Sequence, residues 1–178
     1  MSRVISVRPA RLDDLGVIVE LRLALLREYR DHPLYGLLRS DATERAFELY
    51  RAQITSPFEM ILLAERGVSR REIVGILRCV DTPSSPLMFP ERYCYLSSAY
   101  VRPDERRQGV LSALLAAAEA WCETRGLSEM RLHNSASSDT AANAWQALGF
   151  DVVEQVRRRV LRAGRLAGAA DGARAQPL

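Results

Sequence analysis

The spacing of apolar residues near the start of the chain predicts one strand followed by two helices. Val4 to Arg8 alternates apolar and polar residues, which is typical of a strand. From Leu12 to Tyr29, leucine, isoleucine and valine recur at near-helical spacing and predict a long helix. A loop follows, and Asp41 and Glu44 then have the spacing of a capping box, which predicts a second helix that reaches about Ile54.

Strand patterns dominate the middle of the chain, and helices alternate with strands beyond it. The further predicted elements are strands at Met60–Glu65, Glu72–Val80 and Tyr93–Val101, a helix from Gly109 to Gly126, a strand from Met130 to Asn134, a helix from Asp139 to Leu148 and a last strand from Phe150 to Leu161. This order predicts an α/β fold with a mixed sheet, in one domain over residues 1–161. Arg162 to Leu178 has almost no large apolar residue, and we expect a disordered tail there.

The composition is that of an ordinary globular domain. Of the 178 residues, 48% are hydrophobic and 26% are charged, which excludes a disordered or collagen-like chain. No apolar run is long enough to cross a bilayer, and the first residues lack the pattern of a secretory signal, so we expect a cytoplasmic protein without membrane contacts. Cys79, Cys94 and Cys122 fit neither a disulfide framework nor a metal motif, and we expect reduced core thiols.

The positive charge of the chain is dispersed. The net charge is +3, and the 25 basic residues, all of them arginine, are scattered among 22 acidic ones. Only Arg157, Arg158 and Arg159 form a run, and no basic stripe with interleaved aromatic residues is present. We therefore expect no nucleic-acid partner.

The clearest chemical pattern is a basic turn that leads into the helix opened by Gly109. Free N–H groups in the first turn of a helix, together with the helix dipole, favour an anion. Gly109 would let a phosphate approach the backbone, and Arg106 and Arg107 would add charge-assisted hydrogen bonds. The pattern fits a pyrophosphate site, and it equally fits a solvated arginine turn that caps a helix. Neither a Walker P-loop nor a dinucleotide fingerprint is present, since the lysine and the other glycines are absent.

This segment resembles the acetyl-CoA signature of GNAT-type N-acetyltransferases. The family pattern R/Q-x-x-G-x-G/A reads here as Arg106-x-x-Gly109-x-Leu111. Ala141 to Phe150 is similar to the family's A-x-x-F-Y-x-x-x-G-F segment, and the N-terminal Val-Arg-Pro-Ala with Asp-Asp-Leu resembles its usual opening. The likeness spans residues 3 to 161, and the predicted order of elements is also that of the family.

The resemblance implies a mainly antiparallel sheet, flanked by helices and splayed between the fourth and fifth strands, with CoA in the gap. Acetyl-CoA would be the acyl donor, no metal would be required, and an amine would attack the thioester directly. Pantetheine would run alongside the fourth strand and pyrophosphate would rest on N–H groups at the helix start. The residues implied for the donor are Tyr100, Val101, Arg106, Arg107, Gln108, Gly109, Val110, Leu111, Ser112, Asn134, Ser138 and Trp145.

The chain departs from the family pattern at the positions that matter most for chemistry. Leu111 stands where glycine or alanine usually contacts the donor. Trp145 replaces a tyrosine that often protonates the leaving thiolate, and an indole has no titratable hydroxyl. Ser97 and Ser98 occupy the place of a carboxylate base, and Ser138 replaces an asparagine before the last helix.

The candidate catalytic residues are therefore Ser97, Ser98 and His133, acting through water, with His133 the imidazole near the splay. His32 and Tyr35, in the loop between the first two helices, and Tyr95 on the fourth strand are the candidate acceptor contacts. The acceptor is expected to be a small-molecule amine or a protein N-terminus. A non-catalytic acyl-CoA sensor is the competing interpretation, and monomer and homodimer both stay open.

Overall fold

The five strands of the described residues lie in the sheet in their order along the chain. The structure is a computed structural model that describes residues 4–67 and 71–160. Its elements are β1 (Ile5–Pro9), α1 (Leu15–Glu28), α2 (Ala42–Ile54), β2 (Glu59–Arg66), β3 (Glu72–Pro83), β4 (Arg92–Val101), α3 (Val110–Thr124), β5 (Met130–Leu132) and α4 (Asp139–Ala147). Strands β1 to β4 pair antiparallel, and β4 pairs with β5 in parallel. This confirms the predicted α/β class with a single mixed, mainly antiparallel sheet.

Helices cover both faces of the sheet and create two apolar cores. On β2, Leu62 and Ala64 pack in the core under α3, whereas Ile61 and Leu63 pack in the core under α1 and α2. Successive side chains of a strand point to opposite faces, so the continuous apolar run of β2 is buried on both sides.

A bulge interrupts β4 at Ser98 and Ala99, which together lie opposite Leu77 of β3. Ser98 has a φ of 53°, in the left-handed region that a non-glycine residue rarely adopts. The additional residue reverses the face to which the rest of the strand points. Leu96 lies in the core under α3, whereas Tyr100 lies in the core under α1 and α2.

The sheet opens between β4 and β5. Their ladder runs only from the pair Cys94–Met130 to the pair Leu96–Leu132. β4 continues to Val101, whereas β5 ends at Leu132, two residues before the predicted boundary. Within the described residues, the last half of β4 therefore has no strand beside it on this edge, as the predicted splay requires.

Gly75 on β3 lets the start of α3 approach the sheet closely. A Cβ at this position would lie 3.0 Å from Val110 Cγ1 and 3.2 Å from Leu114 Cδ1. Gly75 pairs with Val101, the last residue of β4. The absence of a side chain at Gly75 therefore places the N-terminus of α3 beside the open end of the sheet.

The predicted last strand, Phe150–Leu161, is wrong over residues 150–160, which form no strand. Val152 and Val153 are 83% and 88% exposed, and no described strand lies beside them. An alternating pattern alone does not supply the hydrogen-bonded neighbour that a strand needs. Leu161 and the predicted tail lie outside the described residues.

The predicted capping box at the start of α2 is also wrong. The Asp41 side chain accepts no hydrogen bond from the helix backbone. It pairs instead with Arg39 Nε at 2.8 Å and Arg45 Nε at 2.7 Å. Charge-assisted bonds to two guanidinium groups are stronger than a cap bond to an amide, which explains the difference.

The three cysteines are free and buried, as expected from their spacing. A hydrogen bond with Cys79, followed by burial, raises the pKa of Cys94 far above its usual range. Burial raises the pKa of Cys122 to about 12. Neither thiol can form the thiolate that a nucleophilic cysteine requires at neutral pH.

Neither a membrane-spanning helix nor a cluster of metal ligands is found within residues 4–67 and 71–160. No helix there is long and apolar enough to cross a membrane. No group of three or more His, Cys, Asp or Glu side chains there is arranged to hold a metal ion.

Candidate active site

The start of α3 forms an accessible anion-binding end next to the open edge of β4. Gly109 precedes the helix with a φ of 82°, and a Cβ added there would meet no atom within 4 Å. The first helical hydrogen bond runs from Ala113 N to Gly109 O, so the N–H groups of residues 110–112 have no partner within the helix. A phosphate could therefore approach the backbone at Gly109 without a clash.

The side chains around this helix start differ in exposure. Val110 is buried in the core, Leu111 is half-buried, and Ser112 is exposed. Arg107 is exposed and has a φ of 59°, also in the left-handed region. Its guanidinium forms no ion pair with the carboxylates of the described residues, so it is available to an anion at the helix start.

A buried ion pair fastens the turn before α3 to the sheet. Arg66, the last residue of β2, lies 2.5 Å from Glu105, and both side chains are at most 10% exposed. Arg66 Nη1 also donates to Gln108 Oε1, and Gln108 Nε2 donates to Asp104 O at 2.8 Å. Arg66 and Glu105 were not among the predicted site residues, although an arginine at the end of an apolar strand was an available signal.

The Arg106 guanidinium is turned towards α1 and β4. Its Nη2 atom lies 2.5 Å from Glu28 Oε1, its Nε atom donates to Val101 O at 3.0 Å, and its Cζ lies 5.6 Å from the centroid of the Tyr100 ring. In this arrangement Arg106 joins the basic turn to the end of β4, rather than extending into solvent as its neighbour Arg107 does.

The Val101 carbonyl faces the open edge of the sheet. The next residue, Arg102, donates its N–H to Val74 O on β3, so the preceding carbonyl points to the opposite side. This carbonyl was expected to pair with pantetheine, and in the structure Arg106 Nε already donates to it. A bound pantetheine would have to share this acceptor or displace Arg106 from it.

Tyr95 and His133 join β4 to the residue that follows β5. The Tyr95 hydroxyl lies 2.9 Å from His133 Nδ1. Tyr95 is paired with Arg131 within the ladder, and His133 directly follows Leu132, the last paired residue of β5. Burial raises the pKa of Tyr95, and the neighbouring phenols of Tyr35 and Tyr93 add to this effect. The phenol is therefore neutral at physiological pH, and its hydroxyl can accept a hydrogen bond from Nδ1–H of the imidazole or donate one to Nδ1 in the other tautomer.

The hydroxyls of the two serines at the bulge are both occupied. Arg78 Nη1 donates to Ser97 Oγ at 3.1 Å, and this arginine also pairs with Glu59 at 2.7 Å. Ser98 Oγ lies 3.0 Å from the hydroxyl of buried Tyr50. Neither serine hydrogen-bonds to a group that would make it a base, so of the three candidate catalytic residues His133 has the most suitable chemistry.

The loop after α1 has a defined shape. The rings of His32 and Tyr35 are stacked, with centroids 4.6 Å apart, and Tyr29 meets the Tyr35 ring edge-on at 5.9 Å. His32 Nδ1 accepts hydrogen bonds from the backbone N–H groups of Leu34 and Tyr35. The Tyr35 phenol also raises the pKa of Tyr95, which indicates that the loop approaches the Tyr95–His133 pair. Contact of His32, Tyr35 and Tyr95 with the acceptor stays a prediction.

The remaining predicted donor residues have contacts within the fold. Trp145 is buried with its ring 5.3 Å from that of Phe150, and Ser138 Oγ accepts from Ala141 N at the start of α4. Asn134 was expected to have a buried partner, but it is exposed and donates to Ser135 O at 3.2 Å. Roles of these residues in donor binding stay predictions.

Known proteins resemble this chain in sequence and in fold. The profile described as the Acetyltransferase (GNAT) family matches residues 16–150. The chain belongs to this family. Among curated relatives, an aminoglycoside N(6')-acetyltransferase type 1 of Stenotrophomonas maltophilia is 31% identical over 85% of this chain and 89% of its own length. The GNAT resemblance of the sequence is thereby confirmed.

One further relative and one solved structure also resemble this chain. An aminoglycoside N(6')-acetyltransferase type 1 of Klebsiella aerogenes is 34% identical over 48% of this chain, and the match spans 57% of that relative. A predicted acetyltransferase from Clostridium acetobutylicum, solved with acetyl-CoA, is 16% identical with a TM-score of 0.70, covering 89% of this chain and 97% of that one. At this identity the likeness shows the shared fold.

Proposed function

We propose that this GNAT protein is an N-acetyltransferase that moves an acetyl group from acetyl-CoA directly to the primary amine of a small molecule. The observation that carries the proposal is the opening of the sheet between β4 and β5 directly beside the accessible helix start at Gly109. One end of this region suits a pyrophosphate. His133 and Tyr95 lie at the other end, at the fork where β4 and β5 separate. Family membership and the relative that aligns over most of the chain support the same activity.

The donor site uses the backbone more than side chains. The N–H groups of residues 110–112 and the exposed Arg107 side chain would bind the pyrophosphate of acetyl-CoA. The open edge of β4, from the bulge at Ser98 to Val101, would bind the pantetheine arm by its peptide groups. The half-buried Leu111 narrows this path where the family usually has a smaller residue.

The reaction requires a neutral amine, and His133 would supply the base that makes one. An ammonium group first loses a proton to the imidazole, directly or through a water molecule. The amine nitrogen then forms a bond to the acetyl carbon, and the bond from this carbon to sulfur breaks. The nitrogen gives up a second proton, and CoA leaves with a proton on its sulfur. In this role the His133 Nδ1–H donates to the Tyr95 hydroxyl oxygen, which holds the imidazole where β4 and β5 separate and leaves Nε2 to accept the proton.

The acceptor would enter from the side of the loop after α1. His32 and Tyr35 would form one wall and Tyr95 would lie at its base. The relatives that match the chain are named for aminoglycosides, which are small molecules with several amines. This supports a small molecule, rather than a protein N-terminus, as the acceptor.

The occupied serines and the buried Trp145 favour one alternative, a GNAT fold that binds acyl-CoA without transferring it. An assay of free CoA released from acetyl-CoA, with and without each member of a panel of amines, separates the two functions. Amine-dependent release supports the transferase. Tight binding of acetyl-CoA in calorimetry without release with any amine supports the sensor, and absence of binding contradicts both.

A further inference from the structure

One face of the sheet is apolar where helices cover it and polar beyond them. Under α1 and α2, this face presents Ile61, Ile76 and Tyr100. Further along the strands, the same face presents Arg78, Tyr93, Tyr95, Ser97 and Arg131, as the register of the paired residues shows. All five are half-buried. We call these five residues the polar face, and the Tyr95–His133 pair lies on it.

The carboxylates that border the polar face already have partners. Glu59 Oε2 accepts from Arg78 Nε at 2.7 Å, and both side chains are less than a fifth exposed. Glu129 Oε1 accepts from Arg131 Nε at 2.6 Å, and the Arg131 guanidinium lies 4.0 Å from the centroid of the Tyr93 ring. A cationic ligand would therefore find each of these carboxylates neutralised by an arginine.

One arginine near the polar face has no such partner. Arg22 lies on α1, four residues after Ile18 and three after Val19, which are both buried against the sheet. It therefore lies on the helix stripe that faces the sheet, and it is half-buried. It forms no ion pair with the carboxylates of the described residues. α1 packs against Tyr100 of β4, and the Arg22 charge opposes the effect of burial on the pKa of Tyr95; together these observations put the guanidinium on the side of the polar face.

We infer that the acceptor is an amine that also carries an oxyanion, a carboxylate or a phosphate, and that Arg22 binds this group on the polar face. The inference rests on the proposed acetyltransferase function and narrows its substrate class. An uncompensated charge that is partly removed from water is costly, and a guanidinium forms strong bidentate hydrogen bonds with an oxyanion. A polycation would instead meet Arg22 as a like charge, while Glu59 and Glu129 are already paired with arginines.

Paired substrates test the class directly. Amino acids and short peptides are assayed against the same compounds with the carboxylate converted to an amide, and O-phosphoethanolamine is assayed against ethanolamine. We expect kcat/KM to be on the order of tenfold higher or more for the anionic member of a pair, the effect of one charge-assisted interaction. The pair with the larger ratio distinguishes carboxylate from phosphate. Aminoglycosides form the cationic arm and are expected to be poor acceptors.

Two substitutions of Arg22 test whether this residue causes the preference for anionic acceptors. Arg22→Gln is expected to raise KM for the anionic acceptors and to remove the preference over the amide, whereas Arg22→Lys retains part of it. Arg27→Gln, on the exposed surface of the same helix, is the matched control and should leave both values unchanged. Calorimetry with acetyl-CoA verifies that each variant retains its fold and donor site.

The outcomes distinguish this inference from the proposed function. Equal rates within every pair, or aminoglycosides as the best acceptors, overturn the anionic acceptor while the acetyltransferase stands. A preference for the anionic member that survives Arg22→Gln overturns the role of Arg22. Binding of acetyl-CoA without transfer to any amine overturns the proposed function, and the inference fails with it.

Discussion

The hydroxyl of Tyr50 on α2 lies 3.0 Å from Ser98 Oγ at the bulge of β4, and both side chains are buried. This hydrogen bond joins the helix layer to the point where β4 adopts a left-handed residue and changes face. The bulge precedes the unpaired edge of β4. The Tyr50–Ser98 contact therefore fixes the start of the edge that is proposed to bind the donor.

Removing one hydroxyl of this pair should destabilise the protein. Tyr50→Phe leaves the Ser98 hydroxyl buried without its partner, which we expect to cost about 1–3 kcal/mol in the free energy of unfolding. Ser98→Gly tolerates the positive φ and removes the other partner. The double variant should cost less than the sum of the two, since no orphaned hydroxyl is left. Urea denaturation measures all three, with Tyr29→Phe as a control, and strictly additive effects would contradict the coupling.

Gly109 should be required for donor binding beyond its contribution to stability. Gly109→Ala forces alanine into a φ of 82° and adds a methyl group where the phosphate is proposed to approach. Gly126→Ala, beyond the other end of α3, is the matched control because its φ is 66° and its surroundings are equally open. Each should cost about 1 kcal/mol of stability, but only Gly109→Ala should weaken acetyl-CoA binding in calorimetry, on the order of tenfold or more. Equal loss of binding in both variants would show a general effect of strain.

The buried Arg66–Glu105 pair should position the turn before α3. Arg66→Met deprives Glu105 of this cation in a buried setting, and we expect a cost of about 3–5 kcal/mol in stability. Arg66→Met combined with Glu105→Leu should recover much of that stability. It should still raise KM for acetyl-CoA, because Gln108 has also lost its hydrogen bond from Arg66. A stable double variant with an unchanged KM would show that the pair serves the fold alone.

The parts of the structure that the sequence predicts well are those set by local patterns. The apolar run of β2, the periodic leucines of α3 and Gly109 in a basic turn each carry their information within a few residues. The bulge at Ser98 depends instead on the register between β3 and β4, which no pattern within β4 reveals. Arg66 and Glu105 are 39 positions apart in the chain, so their contact becomes visible only in the folded sheet.

The predicted last strand shows that a local pattern can also indicate an element that does not form. Val152, Val153, Val156 and Val160 suggest a strand by composition, but in the structure each is exposed and none belongs to the sheet. Arg22 was missed for a related reason. An arginine on a leucine-rich helix is unremarkable in sequence, and only the packing of α1 against the sheet shows that Arg22 lies on the side of the helix turned towards the strands.

An ion pair near the N-terminus should make stability depend on pH in the acid range. Arg8 donates to both carboxylate oxygens of Asp14, at 2.7 and 2.8 Å, and this lowers the pKa of Asp14 below its unfolded value. The pair therefore stabilises the fold above about pH 4, the ordinary pKa of aspartate, and this contribution is lost as the pH falls through the lowered pKa. Arg8 Nε also donates to Glu65 Oε1 at 2.6 Å, so Arg8→Met removes both pairs and should cost about 1–3 kcal/mol at pH 7.

The cost of Arg8→Met, measured by urea denaturation, should shrink between pH 4 and pH 2 and stay constant from pH 6 to pH 8. Arg30→Met is a suitable control, because Arg30 and Asp31 are 3.8 Å apart and both are almost fully exposed. It should have no measurable effect at any of these pH values. A cost of Arg8→Met that does not change in acid would assign the effect to packing of the arginine stem.

His133 should act on the chemical step rather than on binding. His133→Ala is expected to lower kcat on the order of a hundredfold, the usual effect of losing a general base, with little change in KM for acetyl-CoA. Tyr95→Phe should have a smaller effect, because the imidazole remains and loses only its hydrogen bond at the fork. Added imidazole should restore part of the rate to His133→Ala but not to His32→Ala, whose ring serves the loop by stacking on Tyr35. If imidazole fails to rescue His133→Ala while Tyr95→Phe lowers kcat equally, the pair holds β5 against β4 and the base is water alone.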